Sequence, residues 1–402
     1  MAPIQTDVLV VGAGPAGSAA AIVLARAGWR VLLADRSEFP RDKVCGDAVM
    51  SDSLAAIAQL NLADAVRQQS RILSGLSVFA PNGTEVRLRG RFASQPRAQF
   101  DLILQREAVS AGATFLAPFT VRRPRVAAGR VTGAVFAPPG GDHEVEVDAA
   151  VTLLATGAAT TPLQVFGVCT RPEPSAMAAR AYFRVPQDLA GQYQQLVISY
   201  DRAICPGYGW IFPGVDNVCN VGVGVFRDGR RSGRVPNLRQ VWDTFLAEFP
   251  LAAVIAARGE KLTDLKGAPL RTAMTGAHFH RPGLLVIGEA AGLTFSFSGE
   301  GIGKAMESGI IAANLVDDGL TRHVPVEELG PRYQAVLRDR LSRLFRHYGR
   351  VQSWLSWPAL CNLLAWRANR SPYVRAQLEG MLSESVDPSE LFSLSGLISS
   401  SR

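Results

Sequence analysis

The sequence predicts an α/β chain, α+β overall, with a Rossmann-like dinucleotide-binding lobe, an antiparallel-sheet lobe and a C-terminal helical segment. Three observations predict this. A glycine turn separates an apolar strand from a helix within residues 7–17. Alternating apolar stretches such as Gln195 to Tyr200 and Asn217 to Phe226 read as sheet. From about residue 325, apolar residues recur at three- and four-residue spacing. At 402 residues, 48% apolar and 19% charged, the chain can bury the core of two or three lobes.

The glycine turn comes first and is the most informative. It runs Asp7-Val-Leu-Val-Val-Gly12-Ala-Gly14-Pro-Ala16-Gly17. Gly12 permits the tight turn, Gly14 lets a pyrophosphate approach the backbone, and Gly17 lets helix and strand pack closely. The helix start offers free N–H groups and a positive dipole end to phosphates. A second apolar strand, Arg30 to Ala34, ends in Asp35, 23 residues after Gly12. A carboxylate there can accept hydrogen bonds from an adenosine ribose.

The turn alone does not choose between NAD and FAD. Two distant segments do. Ala150-Val-Thr-Leu-Leu-Ala155-Thr156-Gly157 reads as a buried strand ending in a turn. Pro282-Gly-Leu-Leu-Val-Ile-Gly288-Glu289-Ala-Ala-Gly292 delivers an acid at the carboxyl end of a strand, where α/β sheets bind ligands. Ser298-Gly299-Glu300-Gly301-Ile302-Gly303 follows and opens another helix. Glu289 can hold a sugar-like chain hydroxyl, and that helix start can hold a polarised oxygen. A tightly held flavin needs such separated contacts, so the expected cofactor is FAD.

Composition removes other classes. The net charge is +7, and only four of the 42 basic residues are lysine. No basic run carries interleaved aromatics, so no nucleic-acid partner is expected. The five cysteines form neither a CxxC pair nor a Cys/His cluster, so no metal site is expected. Their odd number, and a glycine motif so near the start, point to a reducing cytoplasm. No apolar run approaches the ~18–20 residues that cross a bilayer, so any membrane contact is peripheral.

Four ordered motifs over about 300 residues give a family resemblance. Arg36 to Asp47 reads R-S-E-F-P-R-D-K-V-C-G-D. Arg97, Phe100, Asp101 and Leu104, then Gly112-Ala113, form a second motif. Tyr208-Gly-Trp210-Ile-Phe212-Pro213 with Asn220-Val-Gly222-Val-Gly224 is the third, and Gly288 to Ile302 the fourth. Together they resemble the geranylgeranyl reductase family, within the flavoproteins of p-hydroxybenzoate hydroxylase fold. The resemblance implies that Ala16 and Gly17 lie on the FAD pyrophosphate, with Asp35 and Arg36 at the adenosine. It implies Cys45 and Gly46 at the isoalloxazine, and Arg97 and Val121 along the rest of the cofactor. Glu289 would hold the ribityl chain, with Gly301 and Ile302 beside the flavin ring. Two departures stand out. The family usually has Asp where this chain has Glu289, and often Pro where this chain has Thr294-Phe-Ser-Phe297-Ser before G-E-G.

The resemblance also implies interleaved lobes: FAD-binding segments 1–75, 97–175 and 265–325, a substrate lobe of 76–96 and 176–264, and a helical segment 326–402. Residues 227–234, R-D-G-R-R-S-G-R, read as an exposed turn.

Three chemistries suit a flavin here: reduction of an alkene, hydroxylation and halogenation. The Y-x-W-x-F-P spacing matches a halogenase motif, W-x-W-x-I-P. Halogenases resemble one another in a lysine ahead of it, and this chain has none between Lys43 and Lys261. The Cys45 segment is not typical of aromatic hydroxylases. The reading is therefore an FAD-dependent oxidoreductase that reduces carbon–carbon double bonds of an isoprenoid or similar apolar substrate. The alternative is a flavin monooxygenase or dehydrogenase acting on an aromatic or carrier-bound metabolite. Cys45, Tyr208 and Trp210 are the candidate catalytic residues. Tyr208 is the expected proton donor, Cys45 shapes the pocket or gives a proton, and Tyr208 with Trp210 lines a slot for apolar substrate. With no second dinucleotide unit, the reductant is either transiently docked NAD(P)H or a ferredoxin-like carrier, an electron-donor protein.

The C-terminal segment closes the chain. Leu337, Leu341, Leu344, Tyr348, Val351 and Leu355 form one apolar face. Nine arginines and one acid lie between residues 332 and 375, punctuated by Trp354, Trp357 and Trp366. Two compatible readings stay open: a cap on the FAD lobe, or peripheral contact with a membrane that presents a lipid substrate.

Overall fold

The computed structural model describes residues 2–141, 143–205, 207–226, 237–274, 276–387 and 392. At its centre lies the strand Ile4–Val11, flanked in parallel by Val31–Ala34 and Val145–Leu154. Thr114–Leu116 and Leu284–Val286 extend this parallel array outward. Val8 to Val11, Val31–Ala34 and Leu284–Val286 are buried throughout, as strands covered on both faces must be. The helix Pro15–Arg26 packs between Arg97–Ser110 and Ile302–Thr321. Its crossing with the latter is very close, because a Cβ on Gly309 would collide with the Ala16 carbonyl. An antiparallel ribbon, Thr120–Ala127 with Arg130–Ala137, is bonded onto Val145–Leu154.

The second sheet has nine strands and is antiparallel except where Leu196–Ser199 runs parallel to Arg71–Phe79. One face is covered by helices Leu238–Glu248 and Pro250–Arg258, whose Trp242, Phe245 and Ile255 pack on Phe183, Ile211, Val221 and Val223. Tyr208, Trp210, Phe212 and Phe226 belong to a separate apolar cluster. Period-two alternation sends alternate residues of Gly207–Pro213 to opposite faces. Two segments extend this sheet past the expected boundaries at 76 and 265. Arg71–Phe79 is one continuous strand, and Lys266–Leu270 is bonded in antiparallel register to Ala176–Arg180. Both follow their hydrogen bonds rather than the motif spacing. The expected turn at 227–234 lies outside the described residues.

Helices Val326–Leu355, Pro358–Arg370 and Pro372–Leu382 form the C-terminal segment. Leu337, Leu341, Tyr348 and Val351 of the expected face are buried, with Leu344 and Leu355 partly so. The Tyr333 hydroxyl donates to the Val286 carbonyl at 3.1 Å, fixing the long helix to an inner strand of the first sheet. Trp357, Trp366 and Tyr373 stay exposed on the following helices. Among the described residues no helix is long and apolar enough to cross a membrane.

Candidate active site

The nucleotide end is shaped by missing side chains. Gly12 has φ +106°, and a Cβ on Gly17 would collide with the Gly12 carbonyl. Gly14 caps the helix Pro15–Arg26 in ordinary extended geometry, and a Cβ there would meet only Arg41 Nη2, at 3.7 Å. The space beside Gly14 is therefore open, with a helix N-terminus on one side and a guanidinium on the other. Arg41 is held by Asp101 at 3.2 Å and lies 3.9 Å from Asp35. Its side chain was not singled out from sequence, although it stands inside the Arg36-to-Asp47 motif. Asp35 uses one oxygen to accept from the Ala13 backbone N–H at 2.8 Å and the other to accept from Ser37 at 2.9 Å. The carboxylate thus fixes the glycine turn, with lone pairs left for a ribose. Arg36 is exposed. Val121 follows a segment joined to Asp35 by the Phe119 N–H, which donates to the Asp35 carbonyl at 2.8 Å.

A second group of turns meets across the carboxyl ends of the parallel strands. Gly157 has φ +65°, and a Cβ on it would lie 3.7 Å from Glu289 Oε2. Glu289 Oε1 accepts from the Arg271 backbone N–H at 3.3 Å, which anchors the longer side chain. Gly288 presses on Ala16, its N–H donating to Ser308 Oγ at 2.8 Å. Gly301 caps the helix that Ile302 opens, and a Cβ on it would meet Thr294 Oγ1 at 2.5 Å. The structure therefore brings residues 12–17, 35, 157, 288–289 and 301–302 to one end of the first sheet.

At the other end, the Cys45–Gly46 turn docks on the second sheet. A Cβ on Gly46 would meet Phe212 at 2.9 Å and Trp210 Nε1 at 3.3 Å. Trp210 Nε1 donates to Asn220 Oδ1 at 2.9 Å. Asn220 Nδ2 in turn donates to the Cys45 carbonyl and to Asp47 Oδ2, both at 2.7 Å. Asp47 is buried at φ +67° and also accepts from the Tyr182 hydroxyl at 2.5 Å and the Arg97 backbone N–H at 3.2 Å. Burial pushes its carboxyl up to about 6, against the hydrogen bonds from Tyr182 and Asn220. Arg97 itself grips Asp101 bidentately at 2.7 and 2.8 Å, with the Cys45 sulfur in its electrostatic reach. Buried Arg180 pairs with Asp42 and stacks over the Tyr182 ring at 4.4 Å. Asp47, Tyr182, Arg180 and Asn220 were not singled out from sequence. Asp47 and Asn220 were visible as the ends of two quoted motifs; Tyr182 and Arg180 carried no signal.

The aromatic wall explains the glycines beside it. Tyr208 is paired with Gly224, Trp210 with Gly222 and Phe212 with Asn220 across adjacent strands. A Cβ on Gly222 would collide with the Trp210 ring, so the small residues make room for rings lying against the sheet. Tyr208 packs on Tyr200, Trp210 and Phe226 with ring centroids 5.8–6.0 Å apart. Its hydroxyl donates to the Ser298 carbonyl, joining this sheet to the Gly299-Glu300-Gly301 turn. Burial pushes its phenol upward, so that proton is held firmly. Phe295 and Phe297, at the departure from the family pattern, pack on Phe345 and Tyr348 of the long C-terminal helix, centroids 4.4–4.9 Å apart.

A family description, FAD binding domain, matches residues 5–124. Menaquinone reductase of Mycobacterium tuberculosis is 31% identical over 380 residues, 88% of this chain and 85% of that protein. This chain belongs to the geranylgeranyl reductase family. Digeranylgeranylglycerophospholipid reductase 2 of Methanosphaera stadtmanae is 27% identical, covering 88% of each chain. A solved geranylgeranyl bacteriochlorophyll reductase-like protein of Thermoplasma acidophilum shares the fold, with TM-score 0.78, 20% identity and 99% and 96% coverage. Like the rest of the family, this chain is an FAD-dependent oxidoreductase. Its residues fit the cofactor: an open cradle at Gly14 beside a helix N-terminus and Arg41, and a second helix start at Gly301.

Proposed function

We propose that this enzyme reduces carbon–carbon double bonds in the isoprenoid portion of an apolar lipid or quinone. The observation that carries this reading is the match along nearly the whole chain to reductases named for menaquinone and for a digeranylgeranyl phospholipid. The aromatic wall of Tyr208, Trp210, Phe212 and Phe226 supports it, because it sets a large apolar surface against the Cys45–Gly46 turn. Bound FAD supplies the two-electron hydride chemistry. Asp35, Gly14, Ala16, Gly17 and Arg41 hold its adenosine and pyrophosphate, and Glu289 its ribityl chain. Trp210 lines the slot and Cys45 sets its floor. Tyr208, whose proton is engaged by Ser298, positions the wall against the flavin turn. NAD(P)H or a ferredoxin-like carrier delivers the electrons.

Substrate of this kind resides in a bilayer. Exposed Trp357, Trp366 and Tyr373, with Arg370 stacked over Trp366 at 4.5 Å, suit peripheral contact with an anionic cytoplasmic membrane surface. A W357S/W366S variant that keeps FAD should lose co-sedimentation with anionic vesicles; undiminished binding removes this contact.

The central test is anaerobic. The flavin of the purified enzyme is reduced with light, and menaquinone or a geranylgeranyl lipid is added. Reoxidation by the lipid alone, with a product two hydrogens heavier, is the expected result. Reoxidation only with oxygen, giving a product one oxygen heavier, would make the enzyme a monooxygenase.

A further inference from the structure

The first turn of helix Ile302–Thr321 carries a buried lysine ringed by carboxyl groups, which alkene reduction as proposed leaves unused. Lys304 is 3% exposed, and its Nζ lies 2.7 Å from Glu307, 2.8 Å from Glu384 and 3.8 Å from Asp52 Oδ2. Asp52 comes from helix Ser51–Gln59, and Glu384 follows helix Pro372–Leu382. With Glu300, one ammonium serves four carboxyl groups. Ionising all four would leave three negative charges without a counter-charge in the cluster, and the buried Asp52 is the one with least water to screen it. Asp52 supplies the deciding detail. Its side chain is 8% exposed, and its Oδ1 accepts from the Ser53 backbone N–H at 2.6 Å. Its Oδ2 is buried and accepts from no donor among the described residues. The neighbour of this carboxyl is Glu300. A proton on Glu300 turns a repulsion into an O–H···O bond and satisfies that oxygen. Burial, then Asp52, push Glu300 well above the usual carboxylate range.

The pair stands beside the flavin end of the site. Glu300 precedes Gly301, the cap of the helix start, and lies two residues from Ser298, which holds Tyr208. Tyr208 and Tyr348 are the phenols that face it, both pushed upward by burial and therefore neutral. Beyond Glu384, Asp387 is engaged by Arg343 at 2.6 Å and His347 at 2.5 Å. Two electrons placed on the flavin add negative charge nearby and raise the proton affinity of these carboxyls.

We propose that Glu300 and Asp52 hold one proton between them while the flavin is oxidised, take up a second when it is reduced, and surrender that one as the alkene is reduced. A hydride from the reduced flavin forms the C–H bond at one alkene carbon. The π electron pair moves to the other carbon and takes the proton. The pair returns to one proton, and bound FAD, which would supply the hydride, would be left oxidised; water restores the second proton when NAD(P)H reduces it again, or both protons when a one-electron carrier does. The last step rests on the proposed alkene reduction, the first two do not.

The test uses the FAD-loaded full-length enzyme, with E300Q and D52N alongside, and no alkene. Oxidised-minus-reduced infrared spectra should show a protonated-carboxyl band in the wild type that each variant loses. The flavin midpoint potential should fall about twice as steeply with pH in the wild type as in E300Q, because two protons rather than one accompany two electrons. Equal slopes, or a band that persists in both variants, would overturn the pair. A steep slope in an enzyme that no polyprenyl compound reoxidises would instead overturn the substrate.

Discussion

The two ends of the site are built in opposite ways. At the nucleotide end, Gly12, Gly14 and Gly17 work by having no side chain, and a turn and a helix start do the holding. At the substrate end, the side chains of Asp47, Trp210 and Asn220, with the Cys45 carbonyl, make hydrogen bonds that join segments far apart in sequence. The first end is broken by adding atoms. The second is broken by removing atoms and contains a titrating group.

The largest effect is expected at the first end. Gly14 has an ordinary φ of −74°, so Gly14→Val should leave the fold intact and fill the space proposed for phosphate. FAD affinity should fall about a hundredfold, ~3 kcal/mol, read as flavin absorbance retained through gel filtration. A yellow, fully loaded variant would dissolve the contrast. Next comes Asn220→Ala, which leaves the Trp210 indole N–H and the Cys45 carbonyl without this partner. Each such buried group costs about 1–3 kcal/mol, so the denaturation midpoint should drop clearly and KM for the lipid should rise. An unchanged midpoint would show that the clamp contributes nothing to stability.

Asp47 sharpens the comparison through pH. Its folded carboxyl holds its proton up to about 6, above the unfolded value near 4. Below both values it contributes nothing to pH dependence. As pH rises from about 4 to 6 the unfolded chain releases the proton first, so stability falls, by up to about 3 kcal/mol, then levels off. Asp47→Asn should flatten this segment of the stability profile; a parallel profile would remove Asp47 as the titrating group. The smallest effect is expected for Cys45→Ala. Asn220 reaches the Cys45 backbone and not its thiol, so FAD binding and stability should change little, by less than ~1 kcal/mol. Turnover or product pattern should shift. Kinetics identical to wild type would reduce the thiol to packing.

The same contrast decides what could be read from the chain. The glycine turn and Asp35 were legible because strand, turn and acid are contiguous and their spacing has a steric cause. The C-terminal apolar face was legible from its helical period, and Leu337, Leu341, Tyr348 and Val351 are buried accordingly. Its partners, Phe295 and Phe297, were not, because periodicity names a face and not what lies opposite. The Asn220 clamp spans 175 residues and the Tyr182–Asp47 bond 135, distances over which no local pattern operates. Asn220 appeared only as the first letter of N-V-G-V-G, and Asp47 as the last of a longer motif. The edge strand Lys266–Leu270 escaped for a similar reason: it is half-exposed, holds a glycine and a proline within five residues, and is defined by its partner.

The packing of Phe295 and Phe297 on Phe345 and Tyr348 also bears on how the protein is made. Ribosomes deliver the glycine turn first and the long C-terminal helix near the end, about half a minute later at ~10 residues per second. Until Tyr348 has emerged, the turn that leads into Gly301 lacks its aromatic support. The cofactor site is therefore completed only after most of the chain has left the tunnel, and a prematurely terminated chain is released without a finished redox centre.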